Sequence, residues 1–206
     1  MVSLQHRAKP TPARAAPKAP APATPLDASA WVEAAFDLLA EGGIDAVRVD
    51  PLAKRLGVTR GSFYWHFKDR DALHKAMLKQ WRKAATYQVG DRIEREAADA
   101  GEKLRRTLAL PYSGPKAKRA AAIEMAIRFW ARRDEEAAHA VQLIDHQRLL
   151  YYAKLFAERG HAPDAARRRA YLFYAALMSE AIIVTDEQTD IRHELADLVI
   201  GTRDEG

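Results

Sequence analysis

Residues Gly57 to Leu73 read GVTRGSFYWHFKDRDAL, and within them Phe63, Tyr64, Trp65, His66 and Phe67 put four aromatic rings and a histidine side by side. Arg60, Lys68 and Arg70 frame that run with positive charge. On a helix Phe63 and Phe67, at i and i+4, share one face and bury together, which turns Arg60, Gly61, Tyr64 and Trp65 elsewhere. The result is a short element with an apolar back and a cationic, aromatic front. That front suits duplex DNA. Arg60 in the first turn matches the paired acceptors of guanine, and Gly61 lets the backbone come close to a groove. The hydroxyls of Thr59 and Ser62, beside the free N–H groups of a helix start, suit phosphate oxygens. Tyr64, His66 and Lys68 have donors for phosphates. Trp65 either covers a thymine methyl or sugar or packs at the edge of the fold, and His66 either meets phosphate or bonds a neighbour.

The surrounding sequence supplies helices to hold this element. In DASAWVEAAFDLLAEGG the apolar residues Trp31, Val32, Ala35, Phe36 and Leu39 recur at helical spacing, with Asp27 or Ser29 as cap and Gly42/Gly43 as terminator. VDPLAKRLG offers Asp50 as cap, Pro51 in the first turn, Leu52 and Leu56 as its apolar pair and Gly57 as stop. Thr59 caps a third helix running to about Phe67, and Asp69 caps a fourth with Leu73, Met77, Leu78 and Trp81 on its inner side. Two short helices joined by LGVTR form the pattern of a helix-turn-helix, whose second member enters the major groove. Farther on, helices are predicted near 91–109, 116–132, 135–159, 164–184 and 190–202, and no stretch alternates long enough to argue a strand. The fold class is all-α.

Charge agrees with a polyanionic partner at one end. The net charge is +5, but residues 48–88 carry ten Lys/Arg against Asp50, Asp69 and Asp71. Residues 1–26 add Arg7, Lys9, Arg14 and Lys18 without an acid and hold six of the ten prolines, which predicts a disordered basic arm. That arm is either a solvated leader or a segment that touches phosphates or a minor groove. With no cysteine there is no disulfide framework and no thiolate chemistry, consistent with a reducing cytoplasm. The longest apolar run, Ala170 to Met178, is too short to cross a bilayer, and no signal segment is recognised, so a soluble cytoplasmic protein without membrane contact is expected.

Within this frame DLLAEGGIDAVRVDPLAKRLGVTRGSFYWHFKDRDAL resembles the DNA-binding region of the tetracycline-repressor (TetR) family over about residues 29–80. The Tyr-x-His-Phe ending at Tyr64, His66 and Phe67 is its sharpest feature. The resemblance implies an all-helical homodimeric regulator: a helix-turn-helix domain over 27–72, then a ligand-binding and dimerisation domain over 73–206 that begins with a connecting helix. Carried onto matching positions, it makes Thr59, Arg60, Gly61, Ser62, Tyr64, His66 and Lys68 the DNA surface. Many members begin the second helix with a threonine cap; here Arg48 stands in that place and is a further candidate for phosphate. The partners implied are a palindromic DNA operator and a small-molecule effector, with no cofactor.

The C-terminal part is less specific. AYLFYAALMSEAIIV is apolar on nearly all sides, which suits a core and a subunit interface; its stripe Phe173/Tyr174, Leu177, Ala181 and Val184 pairs with Leu195 and Leu198 of the last helix in the expected dimer. Phe129, Trp130, His146, Gln147, Tyr151 and Phe156 are the candidate effector contacts, against the plainer reading that such rings fill core. His139 and His146 lie seven apart without a supporting cluster, so no metal site is assigned. Two other classes are weighed: an architectural DNA-binding protein that coats duplex through its basic arm, and a helical-bundle enzyme. The chain has no His-Glu-x-x-His, no Gly-rich phosphate loop and no recognisable nucleophile motif, which argues against the enzyme.

Overall fold

The computed structural model describes residues 26–96, 99–109, 114–179, 181–183 and 196–201, with side chains described for all of these except 87–96. Among them the regular structure is entirely helical: α1 (Ala28–Gly42), a 3₁₀ turn (Ile44–Ala46), α2 (Val49–Leu56), α3 (Arg60–Tyr64), α4 (Arg70–Glu96), α5 (Ala100–Ala109), α6 (Pro115–Ala131), α7 (Glu135–Glu158) and α8 (Pro163–Ser179). A further helical turn occupies 196–200.

Several boundaries follow the expected chemistry. The Asp27 carboxylate accepts the Ala30 N–H at 2.9 Å and starts α1; Asp69 accepts from Ala72 at 2.8 Å and starts α4. Gly57 ends α2 at φ 67°, ψ 30°, the left-handed conformation that costs other residues roughly 1–2 kcal/mol.

Other boundaries differ. Arg48, not Asp50, holds the N-cap position of α2; no side chain caps that end, and Asp50 lies inside the first turn. Thr59 stands at the N-cap of α3 but its hydroxyl makes no capping bond. The third helix also ends at Tyr64 rather than near Phe67, so Trp65 and His66 lie in a turn closed by His66 N–H donating to the Phe63 carbonyl at 2.9 Å. The helix expected over 91–109 is divided. α4 runs unbroken through Gly90 to Glu96, because no proline interrupts it and one glycine is a modest cost, and α5 restarts on Asp99, which accepts from Glu102 N–H.

Apolar packing forms two cores. The first joins Trp31, Phe36 and Leu39 of α1, Leu52 of α2, Phe63 of α3 and Leu73, Met77 and Trp81 of α4 to Ile123, Ile127 and Trp130 of α6 and Ala137, Ala140 and Ile144 of α7. The second joins Leu104 of α5, Tyr152, Leu155 and Phe156 of α7, Phe173, Tyr174 and Leu177 of α8, and Ile200. The first four helices therefore share one core with α6 and the first half of α7. On the surface, Arg119 of α6 straddles two carboxylates of α1, Glu33 at 2.9 Å and Asp37 at 2.7 Å, and Arg133 reaches Asp45 at 2.8 Å.

The expected subunit stripe on α8 requires correction. Phe173, Tyr174 and Leu177 face α7 and are buried within the chain, where Phe173 meets the Tyr152 ring at 4.8 Å. Of the expected set, Ala181 and Leu198 are exposed, Leu198 at 77%, and the other outward apolar residues are Tyr171, Leu172, Ala175, Ile182 and Ile183. The stretch Ala170–Met178 is apolar on nearly all sides and does not itself choose a stripe; the exposed Arg167 and Arg168, one turn earlier, lie on the outward side. Val184 and Leu195 lie outside the described residues.

Phe63 is fully buried and meets the Trp31 ring edge-on at 5.4 Å. Phe63→Ala is expected to cost about 3–5 kcal/mol, read as a lower urea midpoint with an unchanged slope. A loss below about 1 kcal/mol would show that α3 is held by something else.

Candidate nucleic-acid interface

A helix of five residues has too few internal hydrogen bonds to persist alone, so its orientation is set by its anchors. Phe63 and Phe67 are buried, their rings 5.5 Å apart, and Phe63 also meets Tyr64 edge-on at 5.3 Å. With that face committed to the core, the remaining positions are turned outward. Tyr64 is 57% exposed and Trp65 87%. Thr59, Arg60, Gly61, His66 and Lys68 are exposed and Ser62 is half-buried. Arg48, at the start of α2, is exposed as well. Every residue assigned from the sequence to a DNA surface thus lies on α3, in the turn after it, or at the α2 start.

Trp65, 87% exposed, is not packed at the edge of the fold among the described residues. Gly61 also has a defined environment. A Cβ there would meet only Thr59 Oγ1, at 3.7 Å, an ordinary contact. Nothing among the described residues demands glycine at this position, and without a side chain it keeps the front of α3 low.

Sequence reasoning missed one partner. Arg60 Nε donates to Asp50 Oδ1 at 2.8 Å, both side chains about two-thirds exposed. An exposed pair contributes about 0–1 kcal/mol, so Arg60 is held forward at little cost to its release. The signal was present as an acid at the start of one helix ten residues before a base at the start of the next, but the turn between them had to be known first.

The six candidate effector contacts are not brought together in one pocket. Trp130 is buried in the first core, where the His74 ring meets it edge-on at 5.1 Å; Phe156 is buried in the second core. Phe129 is exposed, and it and Trp130 both line a cleft of about 300 Å³ between α1 and α6. His146 and Gln147 are exposed on α7 and Tyr151 is half-buried. Only His146 lines the groove of about 470 Å³ between α6 and α7, with Arg128, Arg132, Gln142 and Asp145, and Ala131, Ala138, Val141 and Leu149 as apolar walls. The six residues do not form one pocket, because consecutive helical positions diverge by about 100° and α7 spans both cores.

What sequence reasoning passed over is a polar layer between the cores. Arg148 of α7 grips Glu124 of α6 with Nη1 at 2.5 Å and Nη2 at 3.0 Å. Arg128 Nη2 donates to Glu124 at 2.9 Å and to Asp145 at 2.6 Å. The Tyr174 hydroxyl of α8 donates to Asp145 at 2.6 Å and accepts from both arginines, at 2.7 and 3.1 Å. Burial raises Glu124, but Arg148 and Arg128 outweigh it and hold the carboxyl below its ordinary value. Burial pushes the Tyr174 hydroxyl up to about 12. The i,i+4 pair Glu124/Arg128 and the i,i+3 pair Asp145/Arg148 were legible as helix neighbours; that they face each other was not.

The first helices match a known family. Residues 32–77 fit the family described as bacterial regulatory proteins, tetR family. The chain is similar to the class A tetracycline repressor protein from transposon 1721 of Escherichia coli, 43% identical over 61 residues, which span 28% of this chain and 28% of that repressor. Among solved structures, a transcriptional regulator from Rhodococcus sp. Rha1 shares the fold over 85% of this chain and 95% of its own, with a TM-score of 0.70 and 21% identity. A transcriptional regulator from Saccharomonospora viridis, in complex with choline, does so over 84% and 92%, with a TM-score of 0.69 and 17% identity.

Two outcomes are expected here. Trp65→Ala, which removes no buried contact, should change stability by about 0.5 kcal/mol or less in urea titration. Glu124 should appear in acid unfolding: with its folded value below the ordinary 4.5, its stabilisation is complete above pH 4.5 and is lost as pH falls through the folded value. Glu124→Gln should weaken the protein at neutral pH by roughly 3–5 kcal/mol and flatten that acid limb. An acid limb as steep as before would place its cause elsewhere.

Proposed function

We propose that the chain, whose residues 32–77 match the tetR family of bacterial regulatory proteins, is a sequence-specific DNA-binding regulator, a repressor released from its operator by a small molecule. The observation that carries this reading is the outward front of α3. Arg60, Tyr64, Trp65, His66 and Lys68 are exposed together while Phe63 and Phe67 fix the helix from behind. A cationic helix so presented fits a major groove, with Arg60 reading guanine and Thr59, Ser62, Tyr64, His66, Lys68 and Arg48 gripping phosphates.

The operator is proposed to be palindromic and the protein a homodimer, because one five-residue reading helix contacts few base pairs and a two-fold site doubles them. The outward apolar residues Leu172, Ile182, Ile183 and Leu198 support pairing of two copies. The effector is proposed to bind in the C-terminal helices; a regulator of the same fold, from Saccharomonospora viridis, was solved in complex with choline. It needs only to favour the DNA-incompetent arrangement by a differential of a few kcal/mol. No catalytic step enters this scheme, and it operates in the cytoplasm, where the operator is. No described helix is long and apolar enough to cross a membrane.

Selection from a random duplex pool should return one short symmetric site, and footprinting should protect it as a unit. Arg60→Ala should weaken binding to that site by about 1–3 kcal/mol, roughly 5- to 150-fold, while binding to random duplex changes far less. An equal loss on both duplexes would remove Arg60 from base reading, and a pool that returns no symmetric site would favour an architectural protein.

A further inference from the structure

The polar layer between the two cores contains two buried groups without partners. The Tyr152 hydroxyl is fully buried and, among the described residues, bonds nothing; the Nε–H of Arg148, one helical turn earlier, likewise has no acceptor. Both belong to the Glu124–Arg128–Asp145–Arg148–Tyr174 cluster: Arg148 bonds Glu124 and Tyr174, and the Tyr152 and Tyr174 rings lie 5.8 Å apart. A buried donor left unmade costs about 1–3 kcal/mol, and here two adjacent groups lack an acceptor in an otherwise saturated network.

We propose that this layer is the polar end of an effector site, and that its ligand is an uncharged molecule with an apolar or aromatic body and an acceptor oxygen of carbonyl type. That oxygen accepts from Arg148 Nε–H and from the Tyr152 hydroxyl. Charge balance selects the uncharged class. Two guanidiniums already face two carboxylates, so an added ion of either sign would be buried without a counterion. The α6–α7 groove leads to the same cluster, since Arg128 and Asp145 form part of its lining, and Ala131, Ala138, Val141 and Leu149 give the ligand's body an apolar wall. Asp145, the most exposed of the cluster's ion-paired side chains at 30%, is the member that moves aside on entry. The link from this site to the reading head rests on the proposed regulatory function; α6 carries both Glu124 and Arg128 and the residues Ile123, Ile127 and Trp130 of the core shared with α1 to α4.

The test uses the full chain labelled with ¹⁵N-arginine, titrated separately with acetophenone, benzoate and benzylammonium up to their solubility limits. The expected result is a saturable shift of the Arg148 Nε–H signal with acetophenone, the signal being assigned by its loss in Arg148→Lys. Tyr152→Phe, which removes a buried hydroxyl with no partner, should raise the unfolding midpoint yet weaken acetophenone roughly two- to tenfold, the worth of one hydrogen bond. Tightest binding of benzoate or benzylammonium overturns the uncharged class. No saturable shift with any probe, or identical affinity in Tyr152→Phe, overturns the site and leaves the two groups to a trapped water. Operator binding of the same samples is scored separately. Specific DNA binding without an Arg148 shift overturns this inference alone, and a shift without specific DNA binding overturns the regulatory reading alone.

Discussion

The contact on which the candidate interface depends is the burial of Phe63 against Trp31. α3 is too short to hold its own shape, and its direction is that of the one side chain that cannot leave the core. Fixing Phe63 fixes everything one or two positions away. Tyr64 and Arg60 are turned outward because Phe63 is turned inward, and Phe67 closes the far end so that Trp65 and His66 project from a turn instead of continuing a helix. An aromatic pair at the back of the element thus defines the chemistry at its front.

That anchor does not belong to an isolated module. Trp31 and Phe63 lie in the same apolar cluster as Trp130, Ile127 and Ile144, so the helices that present the cationic front are continuous with α6 and the start of α7. Arg119 adds a surface clamp from α6 onto Glu33 and Asp37, exposed enough to contribute only modestly. Since cores are close-packed, a shift of α6 cannot be absorbed locally and is passed to α1. This is the physical basis on which an event among the C-terminal helices reaches the exposed front of α3.

The second core is built differently, from Tyr152, Phe156 and Phe173 stacked edge to face, and the layer dividing it from the first is charged. Buried ion pairs contribute little net stability over apolar side chains of equal volume, because desolvation offsets their attraction. Their value lies in specifying one arrangement: Arg148 grips Glu124 with both terminal nitrogens, and the Tyr174 hydroxyl ties α8 to the same pair of helices. Apolar slippage of α7 along α6 would leave those charges unmatched.

The amino-acid sequence by itself determined the helical class, the helix-turn-helix and which of its residues are turned away from the core. Those depend on local rules: periodicity over a few residues, a carboxylate at Asp27 or Asp69 accepting the first free N–H groups, and a glycine at 57 in the left-handed conformation. Only the tertiary structure decided which stripe of α8 was internal, that Trp130 and Phe156 were core, that Asp50 held Arg60, and that Glu124, Asp145 and the two arginines met. Each of these is a contact between elements distant in the chain, and the second half of α8, apolar on nearly all sides, leaves its choice of face to the neighbouring helices. Helical spacing says which residues share a side; which side another helix covers is settled by the competition of all such faces for burial at once.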